Sequence, residues 1–108
     1  MKQLAEYFKE REGFDSILID EGFAVYRFLG EECYIKDIWV SSDYRKKGVA
    51  SELADTIAER ARQHGCKYLT GSVSTLANNS TASVKVLLAY GFQVHSAVQN
   101  GIYFRKEL

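Results

Sequence analysis

Arg45, Lys46 and Lys47 stand directly before Gly48, Val49, Ala50 and Ser51. Three cations beside a glycine and a small residue suit an anion. Gly48 and Ala50 let a ligand approach the backbone, and each cation can add a charge-assisted hydrogen bond of roughly 1.5–3 kcal/mol. An apolar run, Tyr34-Ile35-Lys36-Asp37-Ile38-Trp39-Val40, precedes the turn, and a helical pattern follows it. The turn therefore lies where a strand hands over to a helix, whose first N–H groups are unpaired and attract negative charge. A diphosphate would satisfy such a turn. The Gly-Lys-Ser/Thr ending of a Walker loop and the three glycines of a dinucleotide fingerprint are both absent. The competing reading is an ordinary solvated basic turn.

The elements that must position this turn follow from periodicity. Leu4, Ala5, Tyr7, Phe8 and Arg11 fall at helical spacing, which predicts a helix over 2–12 closed by Gly13. Residues 14–19, 23–29 and 33–40 read as three strands, joined by the turns Asp20-Glu21-Gly22 and Gly30-Glu31-Glu32, and so as an antiparallel meander. Val49, Leu53, Ile57 and Ala61 recur every four residues, with Ala50, Ala54 and Ala58 beside them, and Gly65 suits the position after the helix. A strand over 67–73, reached through this crossover helix, should run parallel to the strand at 33–40. A second helix over 78–90 has Asn79 or Ser80 as its N-cap, with Val84, Leu87 and Leu88 facing inward. Residues 92–98 and 102–108 close the chain as a hairpin around Gln99-Asn100-Gly101. The expected fold class is α/β: a mixed, mostly antiparallel central sheet flanked by helices, in one domain over 1–108.

Composition narrows the function classes. A 46% hydrophobic content with seven Tyr, six Phe and one Trp supplies a core without metal or disulfides. Fourteen basic and 14 acidic residues leave no net charge, so neither nucleic acid nor an anionic membrane is expected as a partner. Cys33 and Cys66 lie in no metal-ligand spacing and read as reduced thiols, and no metal site is expected. No apolar run reaches membrane-spanning length, so the expectation is a soluble cytoplasmic protein.

The Arg-x-x-Gly-x-Ala turn, preceded by Tyr-Ile-x-Asp-Ile-x-Val and Asp43-Tyr44, resembles the acetyl-CoA signature of the GNAT N-acetyltransferase superfamily. The resemblance spans 14–108 and includes the Asn/Ser-rich start of the second helix, the Tyr90-Gly91-Phe92 exit and the C-terminal Phe104-Arg105-Lys106-Glu107-Leu108. It implies the GNAT acyl-CoA N-acyltransferase fold, with acetyl-CoA held between the strand at 33–40 and the strand at 67–73. Ile38, Trp39 and Val40 would meet the thioester and pantetheine, the turn Arg45, Lys46, Lys47, Gly48, Val49, Ala50 and Ser51 the pyrophosphate, and Asn79 or Ser80 with Ser83 the outer pantetheine arm. An amine would attack the thioester directly.

That reaction needs a neutral amine, stabilisation of an oxyanion and a proton for the departing thiolate. The backbone N–H of Ile38 can serve the second. Related acetyltransferases carry a glutamate where this chain has Lys36, and a tyrosine where it has Leu87. Asp37, which keeps the family's acidic position, and Tyr34, expected on one face with Lys36 and Ile38, are the remaining catalytic candidates. A salt-bridged Asp37 and a packing Tyr34 are their structural alternatives. His95, His64 at a helix end and the Glu31-Glu32 turn are weaker candidates, each with a structural explanation.

Two hypotheses result. One is an N-acetyltransferase acting on a primary amine of a small molecule or a protein. The other is a catalytically weak module of the same fold that binds acetyl-CoA or a macromolecular partner, which Lys36 and Leu87 favour. Only one helix precedes the meander, where the superfamily has a strand and two helices. A shortened N-terminus of this kind implies an open acceptor site, suited to a large substrate or completed by a second subunit in a homodimer.

Overall fold

The computed structural model describes residues 1–108 apart from Ala77, Asn79 and the side chains of Ser80 and Ala82. The chain runs α1 (Lys2–Glu12), β1 (Asp15–Ile19), β2 (Gly22–Leu29), β3 (Glu32–Val40), a 3-10 turn (Ser42–Tyr44), α2 (Val49–Gln63), β4 (Tyr68–Ser74), α3 (Ser80–Tyr90), β5 (Gln93–Val98) and β6 (Gly101–Glu107). The six strands form one mixed sheet in the order β1-β2-β3-β4-β6-β5. Only β3 and β4, joined through α2, run parallel; the other four pairings are antiparallel. The helix and strand order read from the sequence is that of the structure, with ends differing by one or two residues.

The core lies on one face of this sheet. The α2 stripe of Leu53, Ile57, Ala58 and Ala61 packs on Ala24, Tyr26, Cys33, Leu69 and Phe104, where Ile57, Cys33 and Leu69 are fully buried. Each large side chain removed from water here contributes about 1.5–3 kcal/mol. Val84 and Leu87 of α3 pack against the same cluster. Leu88, expected to face inward with them, is 49% exposed; it follows Leu87 by about 100° around the helix, and so turns away from the sheet.

The opposite face carries α1, which packs on β1. Phe14 is buried there, with the Arg27 guanidinium 5.0 Å and the Lys36 ammonium 4.7 Å from its ring. Lys36 also pairs with Glu12 at 3.6 Å. Gly22 faces Val40 across the β2–β3 ladder, and a Cβ there would sit 2.0 Å from the Trp39 carbonyl oxygen. Only glycine permits that approach.

Candidate functional site

β3 and β4 pair over only three positions, from Glu32↔Tyr68 to Tyr34↔Thr70. Beyond them β3 keeps β2 as its neighbour, and among the described residues no strand pairs with its other edge. The divergence coincides with a bulge. Tyr26 faces Ile35 whereas Val25 faces Asp37, so Lys36 is the extra residue. A bulge bends and twists its strand, here away from β4. The backbone groups of residues 35–39 that point away from β2 are left as an open row of donors and acceptors.

The gap opens into a groove of about 540 Å³ flanked by both helices of the core face. Ala50, Ser51 and Ala54 of α2 form one side, and Ser83, Leu87 and Tyr90 of α3 the other. Ile35, Val40, Val73 and Phe92 make the middle apolar, whereas Ser51, Ser72, Ser74, Ser83 and Arg45 supply polar groups. At the end of β3, Arg45 Nε donates to the Val40 carbonyl at 3.0 Å, which fixes the guanidinium at the rim of the groove. α2 begins at Gly48, whose φ of 82° is the left-handed conformation that favours glycine. Its first helical bond is Glu52 N–H to Gly48 O at 3.0 Å, so the N–H groups of Val49, Ala50 and Ser51 have no partner within the helix.

The structure brings Asp37, Ile38, Trp39, Val40, Arg45, Ala50, Ser51 and Ser83 to this one groove. Lys46, Lys47, Gly48 and Val49 do not line it; they form the exposed turn beyond its rim and the helix start. Lys46 takes a φ of 62°, and the Lys47 ammonium lies 5.9 Å from the Tyr44 ring centre. Asn79 and the Ser80 side chain, expected at the outer arm of the ligand and at the N-cap of α3, lie outside the described residues.

Tyr34 is placed elsewhere. Strict alternation would set it on one face with Lys36 and Ile38, but the bulge breaks the alternation. Tyr34 and Lys36 face the α1 side, whereas Ile38 pairs with Ala24 and packs on the core. Tyr34 lines a separate cavity of about 340 Å³ together with His95, while its hydroxyl sits 3.1 Å from the Oγ of Ser72, a residue that lines the groove. Asp37 is exposed at the groove, and among the described residues it makes no salt bridge. The two carboxylates of the Glu31-Glu32 turn are engaged: Glu31 with Lys67 at 3.2 Å, Glu32 with Arg105 at 3.0 Å. The His64 ring stacks on Phe28 at 4.0 Å.

Tyr90, part of the Tyr90-Gly91-Phe92 exit, is a groove residue. Its hydroxyl donates to Asp55 Oδ1 at 2.6 Å, tying α3 to α2. Burial first, and then the Asp55 carboxylate, hold this phenol above its usual pKa. Nothing in the spacing of Asp55 and Tyr90 signals the pair, because the two helices meet only in the folded chain. Burial also pushes the Cys33 thiol up to about 12 and raises that of Cys66, so neither is a ready nucleophile.

A sequence model of the Acetyltransferase (GNAT) family matches residues 2–92, which takes in α1 as well as the meander. No curated protein sequence matches the chain. Among solved structures, a GNAT-family acetyltransferase from Desulfovibrio desulfuricans superposes with a TM-score of 0.83 at 16% identity, over 98% of this chain and 76% of that one. The PaiA N-acetyltransferase of Thermoplasma acidophilum, solved with coenzyme A, gives 0.78 at 14% identity over 99% and 70%. A streptothricin acetyltransferase of Bacillus anthracis, solved with acetyl coenzyme A, gives 0.71 at 21% identity over 84% and 59%.

Proposed function

Because the chain belongs to the GNAT acetyltransferase family, we propose that it is an acetyl-CoA-dependent N-acetyltransferase acting on a primary amine of a small molecule or a protein. The observation that carries this reading is the edge of β3 from Ile35 onward, which pairs with no second strand among the described residues and faces a groove ending at Arg45 and the start of α2.

The residues present fit an acyl-CoA. An extended chain containing amides can pair with the open β3 edge as a missing strand would. Ile35, Val40 and Val73 would hold its alkyl segments. Arg45, Lys46 and Lys47, with the free N–H groups of α2, would hold its pyrophosphate. Bound acyl-CoA supplies an activated thioester, from which the amine nitrogen takes the acetyl group as the carbon–sulfur bond breaks and the proton shed by nitrogen goes to sulfur. The backbone at the bulge, next to Ile38, is the donor set for a carbonyl oxygen that gains negative charge. Asp37 is placed to attract and orient a cationic amine.

A second reading, a module of this fold that binds acetyl-CoA or a macromolecular partner with little turnover, is supported by two positions. Lys36 is engaged with Glu12 and the Phe14 ring, and Leu87 brings no proton donor to the groove.

Calorimetry with acetyl-CoA and CoA, followed by thiol-release assays over polyamines, amino acids, aminoglycosides and peptides, separates the readings. Binding with turnover supports the enzyme, and binding without turnover supports the module. No binding overturns the acyl-CoA assignment common to both. Arg45→Ala with Lys47→Ala should weaken acetyl-CoA binding at least tenfold, about 1.4 kcal/mol. An unchanged affinity would reduce the basic turn to a surface loop.

A further inference from the structure

A second cavity, of about 470 Å³, adjoins the groove through Trp39, which lines both. Its walls are Met1, Leu18, Ile19, Phe23 and Trp39, and Asp20 brings the one charged side chain among its lining residues. Phe23 and Trp39 are direct ladder partners with stacked rings 5.8 Å apart. Leu18, Ile19 and Trp39 are 41%, 40% and 45% exposed. Leu18 pairs with Phe23 along β1, which is an edge strand of the sheet. This is therefore an apolar surface open to solvent, contiguous with the groove.

The bulge sets where this surface points. Beyond it, Asp37 and Trp39 stand on the face away from α2, two residues and about 7 Å apart along the strand. The groove lies on the α2 and α3 side, and the gap between β3 and β4 joins the two faces. Anything that approaches the gap from the Asp37 side meets Asp37 first and can lean on Trp39 and Phe23. Carboxylates outnumber cations at this mouth, where the cationic groups are Lys36 and the Met1 amino group. Among the described residues Asp20, Glu21 and Asp37 make no salt bridge, and the nearby Lys36 is paired with Glu12.

We propose that the acceptor is an amphipathic amine, with an aromatic or branched apolar body seated on Phe23, Trp39, Leu18 and Ile19 and its amino group facing Asp37. This rests on the acetyltransferase reading and names the substrate class of that site. A polyamine or an aminoglycoside is disfavoured by the same surface, which would strip water from ammonium or hydroxyl groups and return no hydrogen bond. An arylalkylamine gains by apolar burial, ring stacking and cation–π contact with the only tryptophan of the chain.

That single tryptophan gives a readout independent of turnover. Phenethylamine should change the Trp39 fluorescence saturably, at a concentration at least about tenfold below that needed for ethylamine or spermidine. Phe23→Ala and, at a more exposed position, Leu18→Ser should each weaken phenethylamine binding several-fold and raise its KM more than they lower kcat. Their acetyl-CoA affinity should stay unchanged, which shows that the variants are folded. Equal response to the three amines, or no saturable response in protein that binds acetyl-CoA, overturns the proposal. So does a concentration-dependent dimer in sedimentation that Leu18→Ser dissociates, because the surface then belongs to a second copy. If phenethylamine binds as stated but acetyl-CoA does not, the amine site stands and the acetyltransferase reading fails.

Discussion

One pair of strands has two different ends. From Glu32 to Tyr34, β3 is zipped to β4; from Ile35 onward it is open. At the closed end Cys33 faces Leu69, both without solvent exposure; beside them Glu31 and Lys67 pair just ahead of the two strands, and the Glu32–Arg105 bridge reaches across β4 to β6. At the open end the same strand holds unpaired backbone, Asp37 and the exposed Trp39. The closed end shows what this pair does when buried apolar side chains drive it together. The open end, bent away by the extra residue Lys36, leaves hydrogen-bonding groups without a strand partner, where the proposed ligand would pair. On that proposal, stability and function are divided along a single strand.

The largest effect should come from unzipping the closed end. Leu69→Ala leaves a cavity under α2 and should cost about 2–5 kcal/mol in urea unfolding. A smaller loss would mean that the closed end is not the anchor of the pair.

The next test is alkaline. Cys33 keeps its proton in the folded chain to about 12 against an ordinary value of 9.0. Between those pH values the unfolded chain binds fewer protons than the folded one, so stability falls as pH rises through that window. The raised Cys66 and Tyr90 act with the same sign. Cys33→Ala should flatten the fall, as followed by thermal melts from pH 8 to 11.

Tyr90→Phe removes the bond that ties α3 to α2 across the open end. It should cost about 1 kcal/mol, and the expected signature is faster amide exchange in α3 with little change at Cys33 or Leu69. Equal protection loss at both ends would mean that they unfold as one unit. The smallest effect belongs to Glu31→Gln. Glu31 and Lys67 are both largely exposed, so a change under about 0.5 kcal/mol is expected in thermal melts.

Much of this was legible in the residues. The four-residue recurrence from Val49 to Ala61 marked α2 and its buried stripe, and the crossover marked β4 as parallel to β3. The basic turn was legible because charge and glycine at a strand-to-helix junction have local consequences. The bulge was not. The adjacent charges Lys36 and Asp37 break the alternation of the strand, but which residue is the extra one follows from how β2 pairs with it. Tyr34 was therefore given the wrong face relative to Ile38, and the Tyr90–Asp55 contact and the outward Leu88 were missed.

The sequence by itself determined the elements, their order, the position of the basic Arg45 turn between a strand and a helix, and the resemblance to an acetyltransferase family, because periodicity, turn chemistry and motif spacing are properties of neighbours along the chain. Only the tertiary structure decided where β3 leaves β4, which side chains share the groove, and that an apolar surface around Trp39 adjoins it. Those depend on strand register and on how α2 and α3 straddle the sheet, and register is set by contacts between residues far apart in the chain.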